Sequence, residues 1–512
     1  MLLAVCSVIC SAFMRAQTRQ EMIYPIVSAV NIRGNNAVSE EALRHLIETS
    51  PGSPLLQSIA ERDVQAMLTY YTGLGFAFTE IRIALTLNDA TDIPTCVVLF
   101  TIDEGPRVLV REVSVQGNAF TSPDVIAREA RLRPDEVFSQ SKLDRMKRRL
   151  ERLQLFTSVG EPQLYLLNDS TLGRNIRNGG ILCTVQEGNM TAFDGVLGYV
   201  PGRTATESGY LTGLVSLTMK NLFGTGRKVA ARWQRETAAT QELDLRYIEP
   251  WIFGMPIDVS LGYFQRKQDS TYVKSILSGR ADYNITDELS LGATISSESI
   301  YPSTSLGYFT VFESSSLMLG GEIRYDTRDN SRVPTTGVRY VTSYQSGRKN
   351  ITGPVEYLLP TDTRNYYVQR VSVDIDLYTM PWRRHVFALG GHGRQVTSSV
   401  LEISDMYQFG GSSTVRGYRE NQFIGSRIGW ASFEYRFLTG RLSHVFTFVD
   451  GGYFSRPDET NAGIAKQERF LYGYGVGARL ETGLGILSVS YALGKGDAFS
   501  AGKIHFGIIN EF

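Results

Sequence analysis

The feature that most constrains the fold of this chain is a long run of short segments in which apolar and polar residues alternate. From about Met190 to Phe512, turn residues separate these segments and no helical window of convincing length interrupts them. The segments Val371–Tyr378 and Leu487–Leu493 show the alternation most clearly. Because successive side chains of a strand point to opposite faces, each segment has one apolar and one polar face. The sequence therefore predicts an all-β domain over residues 190–512.

Two architectures could use such strands, a soluble sandwich and a membrane-spanning barrel. The β region is long for a single sandwich, in which the polar face would lie outside. In a membrane barrel, lipid covers the apolar face, the aqueous interior covers the polar face, and aromatic residues form girdles at the two interfaces. The chain is rich in residues that suit a barrel, with 49 Gly, 26 Tyr and 25 Phe. We therefore expect a transmembrane β-barrel.

The N-terminal segment has the pattern of a targeting signal. Leu2–Met14 is a mostly apolar run followed by Arg15-Ala16-Gln17, which predicts a signal peptide over residues 1–16 that is removed after Ala16. Since no Lys or Arg precedes the run, an upstream start or a short buried segment is the alternative. After this run, no stretch reaches the ~18 consecutive apolar residues of a spanning helix. A membrane crossing would therefore use a closed barrel, because lipid leaves unpaired backbone groups unsatisfied.

The charge balance excludes one class of partner. Lys and Arg together number 52, Asp and Glu together also number 52, and the formal net charge is zero. Binding to nucleic acid depends on a strongly basic surface. We therefore expect no nucleic-acid partner.

An internal repeat occupies the chain ahead of the β region. The segment Val30–Asn35 is echoed by Val113–Asn118, Thr101–Gly105 is echoed by Thr184–Gly188, and both echoes lie 83 residues apart. Each copy reads as a strand, two helices and two further strands. The predicted helices are Glu40–Glu48, Glu61–Tyr71, Pro123–Ala130 and Ser141–Leu153. We therefore expect two α+β modules, at residues 26–106 and 107–189.

The last of these helices is strongly basic. Its apolar stripe contains Leu143, Met146 and Leu150, while its other faces carry Lys and Arg at many positions. An amphipathic helix of a small module usually packs its apolar stripe into the core and leaves the charged faces in water. We therefore interpret the basic residues as a solvated surface.

Several patterns that resemble ligand or catalytic sites lack the required spacing. Gly224–Lys228 does not have the Gly-x4-Gly-Lys-Ser/Thr spacing of a phosphate-binding loop. The five histidines form no metal-ligand pattern, and no Gly-x-Ser-x-Gly elbow occurs. The sequence therefore predicts a protein that is not an enzyme and that holds no cofactor and no metal.

The order of the motifs resembles a known family. Two polypeptide-transport-associated (POTRA) modules ahead of a β-barrel resemble the outer-membrane protein assembly and translocation superfamily, which is typified by BamA and TamA. The most specific match is Gly410–Tyr418, which contains the family's Val-Arg-Gly-Tyr/Phe loop signature. Weaker matches are Asn221–Arg227, Glu249–Trp251, Asp326–Asn330 and the terminal Phe512. The resemblance covers nearly the whole chain.

The resemblance implies a sixteen-stranded antiparallel barrel whose longest extracellular loop folds back into the lumen. The arginine of that loop is expected to contact acids on the inner wall. The residues assigned in this way are the loop motif Val415, Arg416, Gly417 and Tyr418, the acidic partners Glu434 and Asp450, and the inner-wall aromatic Phe448.

Strand alternation supports one of these assignments independently. Glu434 shares its strand face with Ser432 and Arg436, so alternation alone places it on the polar face that would line the lumen. Asp450 shares its face with Phe448, which makes that face mixed, and its inward assignment depends on the resemblance. An arginine suits this role because its planar guanidinium can bridge two carboxylates.

The resemblance also implies a lateral seam between the first and last strands of the barrel. We expect these strands near Thr191–Val200 and over Lys503–Phe512. Glycine within a strand weakens its packing. The seam residues assigned are Gly195, Gly198, Gly507 and Phe512.

The function that the resemblance implies is insertion of proteins into the outer membrane of a Gram-negative-type bacterium. Periplasmic POTRA modules would receive unfolded β-barrel clients, and the seam would insert them by strand augmentation. The expected partners are these clients and the lipid bilayer, with accessory lipoproteins or periplasmic chaperones as further candidates.

Two other functions fit parts of the sequence. A two-partner secretion translocator also carries two POTRA modules and exports a dedicated polypeptide through the lumen. That class typically adds an N-terminal plug helix, for which roughly 17 residues are needed to cross the membrane, whereas Gln17–Ile26 supplies 10. The third candidate is a passive porin or a barrel-embedded hydrolase. The repeated modules argue against a porin, and the missing nucleophile argues against a hydrolase.

Overall fold

The computed structural model describes residues 24–88, 94–133, 135–168, 175–200, 210–303, 311–358, 363–458, 465–482 and 485–509. The predicted signal peptide and Phe512 lie outside these residues. The chain forms two compact units. The first contains the described residues up to Gln116 together with Ala130–Lys147 and Gly160–Thr184, and the second contains Gly117–Glu129, Arg148–Val159 and the chain from Val185 onwards. No helix in the described part of the chain is long and apolar enough to cross a membrane.

The first module is a three-stranded sheet covered by two helices. Its elements are β1 (Ile26–Arg33), α1 (Glu40–Arg44), α2 (Gln57–Gly73), β2 (Glu80–Asn88) and β3 (Thr95–Asp103). The strand order is β1-β3-β2, in which β3 runs parallel to β1 and antiparallel to β2. The core lies between sheet and helices, where Leu43, Met67, Tyr71, Val98 and Phe100 are fully buried.

Both helices of this module differ in length from the prediction, and α1 ends early for a visible reason. The helix α1 stops at Arg44 instead of Glu48, because the Asp63 carboxylate of α2 accepts hydrogen bonds from the backbone N–H groups of Glu48 (2.7 Å) and Thr49 (3.0 Å). A side-chain acceptor of this kind competes with the helical bond. The helix α2 starts earlier than predicted, at Gln57.

The second module repeats this plan with additional short strands. Its elements are β4 (Arg107–Gln116), α3 (Pro123–Ala130), β5 (Glu136–Val137), α4 (Gln140–Arg152), β6 (Phe156–Val159), β7 (Gln163–Leu166) and β8 (Ile176–Glu187). The strand order is β5-β4-β8-β6, and β7 also pairs with β8. The helix α3 matches the predicted bounds, and α4 lies one residue ahead of them.

The repeated glycine of the two modules has a structural cause. Gly34 and Gly117 both adopt φ +88°, a backbone conformation that glycine populates at no steric cost. A Cβ atom at either position would lie 2.0 Å from the carbonyl oxygen of Ile102 or 1.9 Å from that of Val185. Both positions therefore require glycine.

The repeated glutamate closes the same turn in each module. The Glu104 carboxylate accepts a hydrogen bond from the N–H of Ala37 at 2.8 Å, and the Glu187 carboxylate accepts one from Phe120 at 3.0 Å. Glu187 also accepts the N–H of Thr121 at 2.6 Å. The sequence repeat thus places a glutamate at the same position in both modules, where its carboxylate holds the loop ahead of the first helix.

The rest of the chain forms one sheet of sixteen antiparallel strands, as predicted. Its strands are β9 (Thr191–Val200), β10 (Tyr210–Leu222), β11 (Arg227–Arg235), β12 (Gln241–Glu249), β13 (Ile257–Gln268), β14 (Tyr272–Asn284), β15 (Leu289–Pro302), β16 (Glu313–Asp326), β17 (Gly337–Gly353), β18 (Asn365–Trp382), β19 (His385–Thr397), β22 (Arg427–Leu438), β23 (His444–Arg456), β24 (Gln467–Thr482), β25 (Gly485–Gly494) and β26 (Lys503–Ile509). Two short strands, β20 (Tyr407–Phe409) and β21 (Phe423–Gly425), form a separate hairpin. Short 3-10 turns occur at Ile252–Gly254, Val355–Tyr357 and Phe499–Ala501.

In the part of the chain that the structure describes, the two end strands of this sheet do not pair with each other. Neighbouring strands pair in chain order from β9 to β26, apart from the hairpin that is inserted between β19 and β22. Among the residues that the structure describes, β9 pairs only with β10 and β26 pairs only with β25. The sheet is therefore open between its first and last strands.

The two faces of the sheet differ in chemistry. On β23, Val449 is 57% exposed while Phe448 and Asp450 are buried. On β26, Ile504 is 74% exposed and the neighbouring His505 is buried. An apolar exposed face opposite a polar covered face is the pattern of a barrel whose outer surface meets lipid.

The basic helix α4 is only partly solvated. Leu143, Met146 and Leu150 are buried as expected. Arg149, however, pairs through Nε with the Asp287 carboxylate at 2.5 Å, and Arg152 donates a hydrogen bond to the Asp287 carbonyl oxygen. Asp287 lies in the turn between β14 and β15. The prediction of a solvated basic face is therefore wrong for Arg149, whose side chain is 13% exposed in this ion pair, whereas Arg152 is exposed as expected.

Candidate functional site in the folded-back loop

The site is built on the connection between β19 and β22, over residues 398–426. This segment contains the β20–β21 hairpin, whose pairing runs from Tyr407 opposite Gly425 to Phe409 opposite Phe423. It packs against the covered face of the sheet, where Phe409 and Val415 are fully buried beside Phe454. The loop therefore lies on the inner side of the sheet.

Arg416 binds both acids that were assigned to it. Its Nε and NH2 groups donate to the two oxygens of the Asp450 carboxylate at 2.7 and 2.6 Å. Its NH1 group donates to Glu434 at 2.6 Å, and its backbone N–H donates to Asp450 at 3.0 Å. The guanidinium thus spans β22 and β23 with bidentate geometry on one carboxylate.

The three charged side chains are almost completely removed from water. Asp450 is 0% exposed, Glu434 is 5% exposed and Arg416 is 8% exposed. The guanidinium carbon lies 3.6 Å from the centre of the Phe448 ring, which adds a cation–π contact. Removal of one partner from such a buried group is far more costly than loss of a solvated pair.

The neighbours of Arg416 in the motif have separate contacts. Val415 packs into the apolar cluster of the hairpin. The Tyr418 hydroxyl donates to the carbonyl oxygen of Tyr472 on β24 and accepts from the N–H of Lys495, both at 3.2 Å. The motif therefore contacts four consecutive strands or their connections, from β22 to the β25–β26 turn.

Glycine on the wall allows the loop to approach closely. A Cβ atom on Gly473 of β24 would lie 1.8 Å from the carbonyl oxygen of Arg416. In the loop itself, Gly417 has φ +95°, and a Cβ atom there would lie 2.6 Å from backbone atoms of Leu493 and Gly494. Backbone therefore packs directly on backbone at both positions.

A second buried anchor holds the start of the loop. Lys349 of β17 is 1% exposed, and its Nζ lies 2.7 Å from carboxylate oxygens of both Glu402 and Asp405. Lys274 of β14 donates to the carbonyl oxygen of Ser404 at 3.0 Å. In the sequence, Glu402 and Asp405 precede the β20–β21 hairpin, whereas Arg416 lies between its two strands.

A third contact joins the loop to the last strand. The N–H of Gly417 donates to Nε2 of His505 on β26 at 3.2 Å. Nδ1 of the same histidine lies 3.6 Å from the Glu420 carboxylate. The loop motif is thus connected to an end strand of the open sheet.

The assigned seam residues lie on the two end strands as far as the structure describes them. Gly195 and Gly198 belong to β9, where they face Val215 and Thr212 of β10. Gly507 belongs to β26 and faces Ser488 of β25. Phe512 lies outside the described residues.

Sequence reasoning missed Lys349, Glu402, Asp405 and His505. Their partners are 53 to 88 residues away in the chain, and no motif connects them. The run Gly473-Tyr474-Gly475-Val476-Gly477 carried a usable signal, because small residues at every second strand position leave one face free for a packed neighbour.

The interior beside the loop holds a polar cavity of about 2460 Å³. Its wall carries both signs of charge, including Arg280, Glu298, Glu322, Arg370 and Asp376. No group of three or more His, Cys, Asp or Glu side chains among the described residues could hold a metal ion.

Comparison with family models identifies both parts of the chain. The model of the Omp85 superfamily domain matches residues 221–512. The POTRA model, described as a surface antigen variable number repeat, matches residues 25–105 and 108–185.

Curated relatives with similar sequences carry assembly-factor names. The outer membrane protein assembly factor BamA of Nitratidesulfovibrio vulgaris is 23% identical over 396 residues, which cover 72% of this chain and 46% of the relative. BamA of Neisseria meningitidis is 27% identical, with 48% of this chain and 30% of the relative covered. A putative outer membrane protein assembly factor of Treponema pallidum is 27% identical, with 46% and 27% covered. The chain thus spans less than half the length of these curated relatives, none of which is named as an enzyme.

Solved structures share the fold at low sequence identity. BamA from Haemophilus ducreyi lacking POTRA domains 1–3 has a TM-score of 0.59 and 17% identity, with 94% of this chain and 98% of that chain covered. CdiB from Escherichia coli has a TM-score of 0.54 and 14% identity, with 96% and 91% covered. CdiB from Acinetobacter baumannii has a TM-score of 0.51 and 13% identity, with 93% and 87% covered.

Proposed function

Because this chain belongs to the Omp85 superfamily, and is an outer-membrane β-barrel protein with periplasmic POTRA modules, we propose that it inserts β-barrel clients into the outer membrane. The POTRA modules receive the unfolded client, and the seam between β9 and β26 pairs with its strands. The curated relatives named as assembly factors support this assignment. No nucleotide is required, since completion of client strand pairing and burial of apolar faces in lipid supply the free energy.

The observation that carries the proposal is the open edge of the sixteen-stranded sheet. Each end strand presents a row of backbone groups that no described residue pairs with. In lipid, an unsatisfied backbone group costs several kcal/mol, so these edges favour any strand that pairs with them. A client strand that adds to β9 or β26 satisfies both chains at once.

The first POTRA module offers a second edge of the same kind. The strand β2 lies at the edge of its sheet, and Ile83, Leu85 and Leu87 are exposed on one face of it. An exposed apolar edge strand is a template for pairing with another extended chain. We propose that unfolded clients add to β2, with alternate apolar side chains of the client packing on these three residues.

We propose that the folded-back loop, residues 398–426, braces the strands on the β26 side of the seam, which means that it holds these strands in register. Arg416 ties the loop to β22 and β23, and His505 ties it to β26. Tyr418 adds the contact to β24. The loop thereby holds the strands next to the seam in position while β26 exchanges partners.

Reconstitution tests the proposal directly. Proteoliposomes that contain the purified chain receive a urea-denatured outer-membrane β-barrel client, and the folded, protease-resistant fraction of the client is measured over time. We expect faster folding than in protein-free liposomes of the same lipid. Equal rates with and without the chain would contradict the insertase assignment.

Export of a polypeptide through the lumen is the second candidate. The fold likeness to CdiB and the polar interior cavity favour it. A translocator would deliver its substrate to the far side of the membrane in soluble form, whereas an insertase leaves the client in the bilayer. Extraction of the liposomes with carbonate after the reaction separates the two outcomes.

A further inference from the structure

The inner wall beside the Arg416 clamp carries a second basic cluster. Arg436 of β22, His444 of β23 and Arg479 of β24 lie on adjacent strands, and His444 is directly opposite Arg479 in the register. Arg436 is two residues from Glu434 and therefore on the same face of β22 as that acid. The three side chains face the interior.

The cluster contains polar atoms that the described residues leave without a hydrogen-bond partner. His444 is 0% exposed, and both of its ring nitrogens lack a partner. NH1 of Arg436 and Nε of Arg479 are buried and lack one as well. Buried polar groups in native proteins are normally paired, so the N–H donors among these atoms point to a missing acceptor.

The charges of the region do not balance. Arg416 uses Asp450 and Glu434, and Arg436 uses its Nε and NH2 groups on the other oxygen of Glu434 at 2.8 and 2.7 Å. Arg479 forms no ion pair with a described residue and lies over the Phe446 ring at 5.6 Å. Three guanidinium groups therefore share two carboxylates.

The basic cluster adjoins the interior cavity and lies beside an apolar cluster. Arg479 and Tyr378 line the polar cavity, and the Tyr378 ring lies 5.4 Å from the Arg436 guanidinium carbon. Leu438, the register partner of His444, packs against the apolar cluster of Val333, Leu442 and Ile486. Leu442, Ile486 and Arg479 all line the cavity, so a ligand would enter at Arg479, beside this apolar cluster.

We propose that Arg436, His444 and Arg479 form a binding site for one oxyanion, a carboxylate or phosphate group, that enters from the interior cavity. Guanidinium groups bind both anions through paired N–H donors, and the imidazole adds a further donor. One bound oxyanion accepts hydrogen bonds from the unpaired N–H groups of Arg436 and Arg479 and from the N–H of the imidazole, and it balances the third guanidinium.

The test is equilibrium binding of radiolabelled inorganic phosphate to the purified full chain in detergent, at constant ionic strength. We expect saturable binding of one phosphate per chain. Competition with acetate and with methyl phosphate distinguishes the sources, because a carboxylate site is emptied by acetate at lower concentration and a phosphate site by methyl phosphate. Absence of saturable binding in the wild type would overturn the proposal.

Variants locate the site. Arg479→Gln should weaken phosphate binding about tenfold, the effect of losing one charge-assisted hydrogen bond. Arg441→Gln is the matched control, because Arg441 lines the same cavity but is exposed in the β22–β23 turn, and binding should not change. His444→Gln is the second site variant, whose phosphate binding is measured if Arg479→Gln does not fold. Equal binding by the wild type and both site variants, or loss of binding only in Arg441→Gln, would overturn the assignment.

Discussion

Arg416 binds two carboxylates at once, so its replacement tests whether these contacts hold the folded-back loop in place. In Arg416→Ala, Glu434 keeps Arg436 but Asp450 loses its cation while fully buried. We expect a loss of about 3–5 kcal/mol, typical of a broken buried pair. Limited proteolysis should then cut the loop of residues 398–426 much faster than in the wild type. Arg419→Ala, an exposed arginine of the same loop, is the control, and equal cleavage of all three proteins would count against the clamp.

Gly473 offers an independent test, because it involves no charge. Gly473→Ala places a Cβ atom where the Arg416 carbonyl oxygen now lies, and overpacking of this kind costs about 1–3 kcal/mol. We expect loop cleavage to rise as in Arg416→Ala. The matched control is Gly451→Ala on the neighbouring strand, where a Cβ atom meets no atom within 4 Å. If both alanine variants resist protease equally, the close packing of loop and wall is not important for loop order.

At the scale of elements, Glu187 makes the second module sensitive to acid. Burial opposes its ionisation, but hydrogen bonds from the Thr121 hydroxyl and from the N–H groups of Thr121, Phe120 and Ala119 lower its pKa below the ordinary 4.5. A lowered pKa in the folded state stabilises the fold above the unfolded-state pKa, and this stabilisation is lost as the pH falls through the folded-state value. We expect amide exchange at residues 119–121, corrected for intrinsic rate, to accelerate below about pH 4. Glu187→Gln should remove this pH dependence, and an unchanged acid response in the variant would show that another group is responsible.

The edge strand β2 is the element to which unfolded clients are proposed to add. Leu85→Lys places a charge on the exposed apolar row, which blocks pairing with another strand. Loss of one buried leucine contact predicts about tenfold weaker binding of an unfolded client peptide, measured by fluorescence anisotropy with the full chain in detergent. Thr86→Lys, on the opposite face of β2, should bind as the wild type does. Equal binding by both lysine variants and the wild type would exclude β2 as the client site.

The elements were more predictable from the sequence than the contacts between them. The repeat predicted both modules because Gly34 and Gly117 must be glycine and because Glu104 and Glu187 close equivalent turns. Alternation assigned Glu434 to the inner face, since the period of a strand is fixed. The end of α1 was missed because Asp63, which captures the following segment, lies 14 or 15 residues away. Lys349 and His505 were missed for the same reason, because long-range pairing leaves no local pattern.

For the molecule as a whole, the proposed insertion of clients requires a sheet whose first and last strands can exchange partners. Among the described residues, the first and last strands do not pair with each other, and the loop contacts the neighbouring strands through Arg416, Tyr418 and His505. An insertase needs both properties, since the seam must open while the rest of the sheet keeps its register. A translocator needs a free lumen and is indifferent to the seam.

The most direct measurement is therefore client insertion with the seam locked. Cysteines are introduced in β9 and β26, starting with Gly195 and Gly507, and the pair that cross-links on oxidation is tested in the reconstituted assay. A disulfide between the register partners Leu317 of β16 and Arg348 of β17, which lie away from both end strands in the sheet order, is the control. We expect insertion to stop in the oxidised seam variant, to return on reduction, and to continue in the control. Insertion at the full rate with the seam locked would contradict the account.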